Sequence, residues 1–232
     1  MAPRAIDYDE FGNMILVEGI RFLPDPPELA VSDLQLGDVL VWFALGKSSI
    51  SAAIREASGG PYSHVGIYIG EGSSVDAGPD GVSICRVIEL QSDFAYGRVM
   101  RYDALGAVRE KQVIDAAIYA AELGKSYAWL DAITLPLRRV AFHARHQRFW
   151  KWPLLAFPGV LLLAIRRTPD PVEARTTFCS RMVLEAYFAA KIFREQHLQE
   201  CVWTPNDIAV NGDFDYVGWL NHVAPHPPIH RT

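Results

Sequence analysis

The segment from residue 64 to residue 90 constrains the fold more than any other part of the chain. Three strand-like runs, HVGIYIG, SVDA and GVSICRVIEL, are separated only by the turn sequences EGSS and PDG. β-branched and aromatic residues favour strands, whereas Gly, Pro, Asp and Ser favour tight turns. Strands joined by such short turns pair in antiparallel fashion, because a parallel pair needs a much longer crossover connection. The segment therefore predicts an antiparallel sheet.

Two amphipathic helices are predicted to accompany this sheet. Apolar residues recur at helical spacing over residues 107–123, and Gly124 is placed to end that helix. The second helix is TTFCSRMVLEAYFAAKIF, with Thr176 or Thr177 as its N-cap. Shorter patterns predict a strand in VLVWF, a helix in SSISAAIREAS and a closing strand in DFDYVGWL. They also predict a short helix in TPNDIA, with Thr204 as its N-cap and Pro205 at its first position. Helices and antiparallel strands together indicate an α+β fold.

The domain organisation follows from length and composition. The chain has 232 residues, of which half are hydrophobic, so one sizeable packed domain is expected. We predict a lead-in over 1–33, a single domain over 34–220 and a tail over 221–232. An insert at about 131–171 is basic and aromatic at first and then apolar, with Pro153 and Pro158 inside it. A lid, a membrane-surface contact, a groove for a partner and packing as extra core helices are its four interpretations, and we expect the last for the apolar part.

Charge and cysteine content exclude several classes of protein. The net charge of −5 argues against nucleic-acid binding, which usually requires a basic surface. The three cysteines form no CxxC pair, which argues against a disulfide framework and against a thiolate zinc site. His143 and His146 lie in a basic stretch without carboxylates, so a solvated helix face is expected there rather than a metal centre. Neither a metal nor a cofactor is therefore expected.

Cys179 and His64 are the residues best placed for chemistry. Cys179 lies at the predicted start of a helix, where free N–H groups and the helix dipole stabilise a thiolate. His64 begins a strand directly after GGPYS, at a sheet edge where its ring can face a cleft and accept a proton. Asp76 lies across a tight turn on the neighbouring strand, from which its carboxylate can orient the imidazole. Taken singly, a buried structural Cys, a core-edge His and a solvated turn Asp are the alternative interpretations.

The sequence resembles a known enzyme family in SHVGIYIG, VDAGPDGVSI and FCSRMVLEAY. These motifs are similar to those of the circularly permuted NlpC-like cysteine peptidases and amidases, which are related to the lecithin–retinol acyltransferases and share a papain-like core. LQLGDVLVW, ASGGPYSHV, GKSY and TPNDIA extend the resemblance from about Leu34 to Ala209, with a gap at the insert. Each motif is short, but their order and spacing are specific as a set.

The resemblance implies a role for each site residue. It implies that Cys179 is the nucleophile, that His64 is the general base and that Tyr127 helps to hold the oxyanion. An ordinary core tyrosine is the alternative for Tyr127. Asp76 stands where relatives usually carry Glu or His, so a shorter side chain must reach the same ring nitrogen. The implied fold is a papain-like core in permuted order, with an antiparallel sheet packed on the helix that carries Cys179.

The resemblance also implies a thiol hydrolase that acts through an acyl-enzyme. Cleavage of amide bonds in peptidoglycan peptides is the expected activity. The N-terminal residues MAPRAIDYDEFGN contain no signal-like apolar run, so we expect synthesis in the cytoplasm and dedicated export to the periplasm, as for an antibacterial effector. Such an effector would have an export partner and an immunity partner. A lipid acyltransferase or phospholipase that meets a membrane through its insert, and an inactive binding module, are the alternatives.

Overall fold

A computed structural model describes residues 7–8, 14–15, 27–44, 60, 62–127, 176–193, 203–210 and 212–221. The helix predicted for 48–58, the insert at about 131–171 and the tail at 222–232 lie outside these ranges. Nothing in the described residues therefore tests the four interpretations of the insert. Among the described helices, none is both long enough and apolar enough to cross a bilayer.

Six strands form one antiparallel sheet, as the short turns predict. In chain order, the strands among the described residues are β1 Asp7–Tyr8, β2 Met14–Ile15, β3 Val39–Ala44, β4 His64–Gly70, β5 Ser73–Gly78, β6 Gly81–Arg86, β7 Phe94–Arg101, β8 Ser126–Tyr127, β9 Thr176–Thr177 and β10 Asp215–Asn221. The sheet order is β10-β7-β3-β4-β5-β6, while β1 pairs with β2 and β8 pairs with β9 in parallel. The successive strands β4, β5 and β6 are direct neighbours because two-residue connections leave no other pairing open.

Within the described ranges, four α-helices accompany the sheet: α1 Val87–Asp93, α2 Ala107–Glu122, α3 Cys179–Ala189 and α4 Pro205–Ala209. Helix α3 packs on β4, β5 and α2, and α4 packs on β3 and α3. The predictions for α2 and α4 are confirmed, including the Thr204 cap, whose hydroxyl accepts the backbone N–H of Asp207. The α+β class and the packing of the sheet on the helix that carries Cys179 are also confirmed.

Hydrophobic residues cover both faces of the sheet, because side chains alternate between the faces along each strand. One face packs against α2 and α3 and contributes most of the core. Its buried strand residues include Val39, Val41, Val65, Ile67, Val75 and Ala77. The opposite face is covered by α1 and by the chain before β3. Its buried residues are Leu34, Leu40, Trp42, Tyr68, Val87, Val99 and Leu220.

Two local predictions are wrong. The segment VIEL was predicted to continue a strand, but it begins helix α1, in which Val87 and Gln91, one helical turn apart, are both buried. Thr176 and Thr177 do not cap α3. They form β9 beside β8, and Phe178 is the N-cap, in an extended conformation. The chain thus enters the helix directly from a strand, and Cys179 becomes the first helical residue.

Candidate active site

His64 is the first residue of β4, at the end of the strand that meets the loop containing Gly60. Pairing of this segment begins one residue earlier, where the Ser63 N–H donates to the Trp42 carbonyl oxygen at 3.1 Å. The His64 ring stacks on Phe94, with the two ring centroids 5.5 Å apart and the planes nearly parallel. The side chain retains only 15% of its surface exposed. One face of the imidazole therefore packs on an apolar ring, and only a small part of the side chain is exposed to solvent.

Asp76 contacts the His64 ring, as predicted. Its Oδ1 lies 2.8 Å from Nε2 of His64, and the carboxylate is almost fully buried. The register pairs Gly66, two residues beyond the histidine, with Asp76, so the two side chains lie on the same face of adjacent strands. This pairing explains how an aspartate reaches the ring without the extra methylene of a glutamate.

Gly66 and Ser74 determine where the Asp76 carboxylate lies. A Cβ atom on Gly66 would overlap both Asp76 carboxylate oxygens, so the strand must carry glycine there for the carboxylate to cross to the imidazole. The hydroxyl of Ser74, two residues before Asp76 on the same face, donates to Oδ2. One carboxylate oxygen is thus bonded to His64 and the other to a buried serine, which fixes the carboxylate in one orientation.

Cys179 is a neighbour of the His64 ring as well. The cysteine is the first residue of α3 and is buried at 3% exposure. Interaction with the Cys179 side chain contributes to the raised pKa of His64, so the two side chains are neighbours. Asp76 occupies Nε2 of the ring, which leaves Nδ1 for a second partner. The structure therefore brings Cys179, His64 and Asp76 together, although β4 and α3 are far apart in sequence.

The charge balance favours a protonated imidazole. Burial alone would lower the pKa of His64, but the hydrogen bonds and the negative charges at Asp76 and Cys179 outweigh burial and raise this pKa to about 10. The ring therefore carries its second proton at neutral pH. An imidazolium beside a sulfur is the arrangement that stabilises a thiolate nucleophile.

Tyr127 lies next to Cys179 as well. Strand β8 ends at Tyr127 and pairs with Thr177 on β9, two residues before the cysteine. The tyrosine ring packs on Phe178, the N-cap of α3. Burial, followed by the negative charge at Cys179, raises the pKa of the Tyr127 hydroxyl. The phenol consequently stays protonated and is able to donate a hydrogen bond.

Within the described residues, no group of three or more His, Cys, Asp and Glu side chains is arranged to hold a metal ion. Cys85 is partly exposed on β6, where its sulfur lies 3.5 Å from the Ser83 hydroxyl. Cys201, His143, His146 and the histidines after residue 196 lie outside the described ranges. Only one histidine among the described residues, His64, is thus available for proton transfer.

Comparison with known proteins leaves the site to be interpreted from its own geometry. No protein-family model matches the chain, and no curated protein matches it in sequence.

Three residues of the site were missed by the sequence analysis. Phe94 stacks on His64, Gly66 makes room for the carboxylate, and Ser74 donates to it. For Ser74, the signal was present in the alternation of SVDA, which places a serine and an aspartate on the same face of one strand. Gly66 could have been found from its position between His64 and Tyr68 in an otherwise bulky strand, since an isolated strand glycine often marks a close approach.

Proposed function

We propose that this protein is a thiol hydrolase with a papain-like core in permuted order, in which Cys179 is the nucleophile and His64 is its acid–base partner. One observation carries the proposal: the His64 imidazole is bonded to Asp76 and lies beside Cys179, whose side chain helps to raise the histidine pKa. A single nucleophile, base and orienting carboxylate in a row is the arrangement that acyl transfer requires. The sequence order, histidine before cysteine, agrees with the permuted family that the motifs resemble.

The reaction proceeds in two halves. In the resting enzyme the thiol proton already lies on His64, and the Cys179 thiolate attacks the carbonyl carbon of the substrate, whose electron pair moves to oxygen. The Cys179 backbone N–H and the Tyr127 hydroxyl donate to this oxyanion. When the tetrahedral intermediate collapses, the bond to the leaving amine breaks, and His64 gives its proton to the amine. The product of this half is a thioester between Cys179 and the acyl group.

Water completes the cycle. His64, now neutral, removes a proton from a water molecule as that water attacks the thioester carbonyl. The second tetrahedral intermediate expels the Cys179 sulfur, and the free acid leaves. Asp76 touches neither substrate nor sulfur. Its contribution is to hold the ring orientation and to stabilise the imidazolium in both halves of the reaction.

The substrate class in this proposal is an amide bond within a peptidoglycan peptide. This choice rests on the resemblance of SHVGIYIG and FCSRMVLEAY to NlpC-like peptidases and amidases. The proposal includes the role of an exported antibacterial effector, since peptidoglycan lies outside the cytoplasmic membrane. Ester bonds in lipids are the competing substrates, and the same nucleophile would attack them by the same steps.

Purified protein should be incubated separately with peptidoglycan fragments and with phospholipid vesicles, and the products should be analysed by mass spectrometry. We expect new amine and acid termini in the peptides, and we expect Cys179→Ala and His64→Ala each to abolish them while circular dichroism remains unchanged. Release of fatty acid, or its transfer to an acceptor, would instead identify a lipid-directed enzyme. Cleavage that survives Cys179→Ala would refute the thiol mechanism.

A further inference from the structure

We propose that Asn206 is a positioning residue that sets the His64 ring against the Cys179 sulfur, through a bridge formed by residues 203–206. This inference rests on the proposed thiol mechanism and adds a residue to it. The bridge joins two elements that carry the reacting groups, namely β4 with His64 and α3 with Cys179. No described hydrogen bond links the backbones of these two elements directly.

The bridge is bonded at one end to the nucleophile helix. Ser180, the residue after Cys179, donates its hydroxyl to the Trp203 carbonyl oxygen at 2.6 Å. Ser180 is completely buried, so this bond does not compete with water. The position of Trp203 is therefore tied to the first turn of α3, within one residue of the sulfur.

The other end of the bridge holds the chain just before the base. The Asn206 side-chain amide forms two hydrogen bonds with the Tyr62 backbone: Oδ1 accepts the Tyr62 N–H, and Nδ2 donates to the Tyr62 carbonyl oxygen, each at 2.9 Å. Both residues are buried. A paired contact of this kind fixes the direction of the backbone as well as its distance, and His64 follows two residues later.

Two further features make the bridge stiff. Thr204 and Asp207 form a reciprocal capping box around Pro205, so the bridge enters α4 with its backbone fixed. Gly60 lies against the Asn206 amide so closely that a Cβ atom would overlap it. The sequence GGPYSH thus permits the amide to approach the loop, and the amide in turn aligns the histidine.

The test measures alkylation of Cys179 by iodoacetamide as a function of pH, followed by mass spectrometry of the peptide that carries Cys179. A thiol without a cationic partner loses reactivity as the pH falls below its ordinary range, whereas a thiolate paired with imidazolium stays reactive in acid. At about pH 6, we expect Asn206→Ala to lower the rate by about tenfold or more, because small displacements of reacting groups have large effects. Ser180→Ala breaks the opposite end of the bridge and should act in the same direction.

Val113→Ala is the matched control, since it truncates a fully buried core residue on α2, a helix that carries none of the proposed reacting groups. It should lower the melting temperature yet leave the pH profile of alkylation as in the wild type. If Asn206→Ala fails to fold, the alkylation profiles of Ser180→Ala and Asn206→Asp test the inference instead. Asn206→Asp keeps the acceptor for the Tyr62 N–H and loses the donor to the Tyr62 carbonyl oxygen. Wild-type profiles in the folded Asn206 and Ser180 variants would overturn the inference. If the wild type itself lost its reactivity in acid as His64→Ala does, the thiol mechanism would fall instead.

Discussion

Gly66 lies directly opposite Asp76 in the β4–β5 ladder, and the Asp76 carboxylate occupies the space that a side chain at position 66 would need. This relationship makes the orienting contact with His64 depend on a residue that has no functional group. An aspartate in this position can serve as the third member of the row only because its partner strand carries glycine. The shorter side chain and the missing Cβ compensate for each other.

Gly66→Ala should therefore uncouple Asp76 from His64. We expect the added methyl group to displace the carboxylate from its position beside His64. The imidazole then loses its orientation, and turnover should fall by about tenfold to a hundredfold. Gly78→Ala on the same pair of strands is the control, since a Cβ atom there meets no neighbour within 4 Å. Product formation and melting temperature should be measured for both variants. Full activity in a folded Gly66→Ala protein would show that activity does not depend on this position of the Asp76 carboxylate.

Ser74→Ala tests the second bond to the carboxylate. A buried hydrogen bond to a charged group contributes roughly 1.5–3 kcal/mol, so we expect a drop in kcat with little change in KM. The effect should be smaller than that of Asp76→Asn, because the carboxylate itself remains. Ser83→Ala removes an exposed hydroxyl on β6 opposite Asp76 and should have no effect on kcat. A rise in KM alone for Ser74→Ala would mean that the serine affects substrate binding rather than orientation.

Short-range patterns predicted the outer part of the sheet well. The run HVGIYIG and the turn sequences after it specify β4, β5 and β6 locally, and Asp76 was found because a tight turn brings residues of consecutive strands together. Strand β7, by contrast, was not predicted. Its Gly97 lies against the Trp42 ring, and the strand is defined by its long-range pairing with β3 and β10 rather than by its own pattern.

The sequence predicted a site residue only where a chemically reactive side chain stands at a recognisable position, such as the end of a strand or helix. Cys179 and His64 are chemically distinctive and stand at the ends of recognisable elements, so the sequence suffices to propose them. The roles of Gly66 and Asn206 depend on which residue faces which after folding. The Asn206 contact spans 144 positions along the chain, and no local pattern reports such a pairing. The insert at about 131–171 lies outside the described residues, so its predictions stand as they were made.

The raised pKa of His64 predicts a dependence of stability on pH. The histidine has an ordinary pKa of about 6.5 when the chain is unfolded and a pKa of about 10 in the folded protein, so the folded state binds the proton more tightly. This stabilisation is fully present below about pH 6.5 and is lost as the pH rises through about 10. We expect the stability difference between wild type and His64→Gln to shrink over this interval. Urea denaturation of both proteins between these limits would measure it, and a constant difference would contradict the prediction.

Tyr127→Phe separates stabilisation of the oxyanion from activation of the thiol. The phenol stays protonated beside Cys179, so it is able to donate to the charge that develops on the substrate oxygen. Loss of one such donor lowers kcat by about a hundredfold to a thousandfold in known oxyanion holes, and we expect the lower end because the Cys179 backbone N–H remains. Alkylation of Cys179 should be nearly unchanged, since iodoacetamide forms no oxyanion. Tyr119→Phe, on the exposed side of α2, controls for the loss of a phenol hydroxyl. If Tyr127→Phe lowered the melting temperature and left kcat intact, Tyr127 would be a packing residue, and the backbone N–H alone would remain to hold the oxyanion.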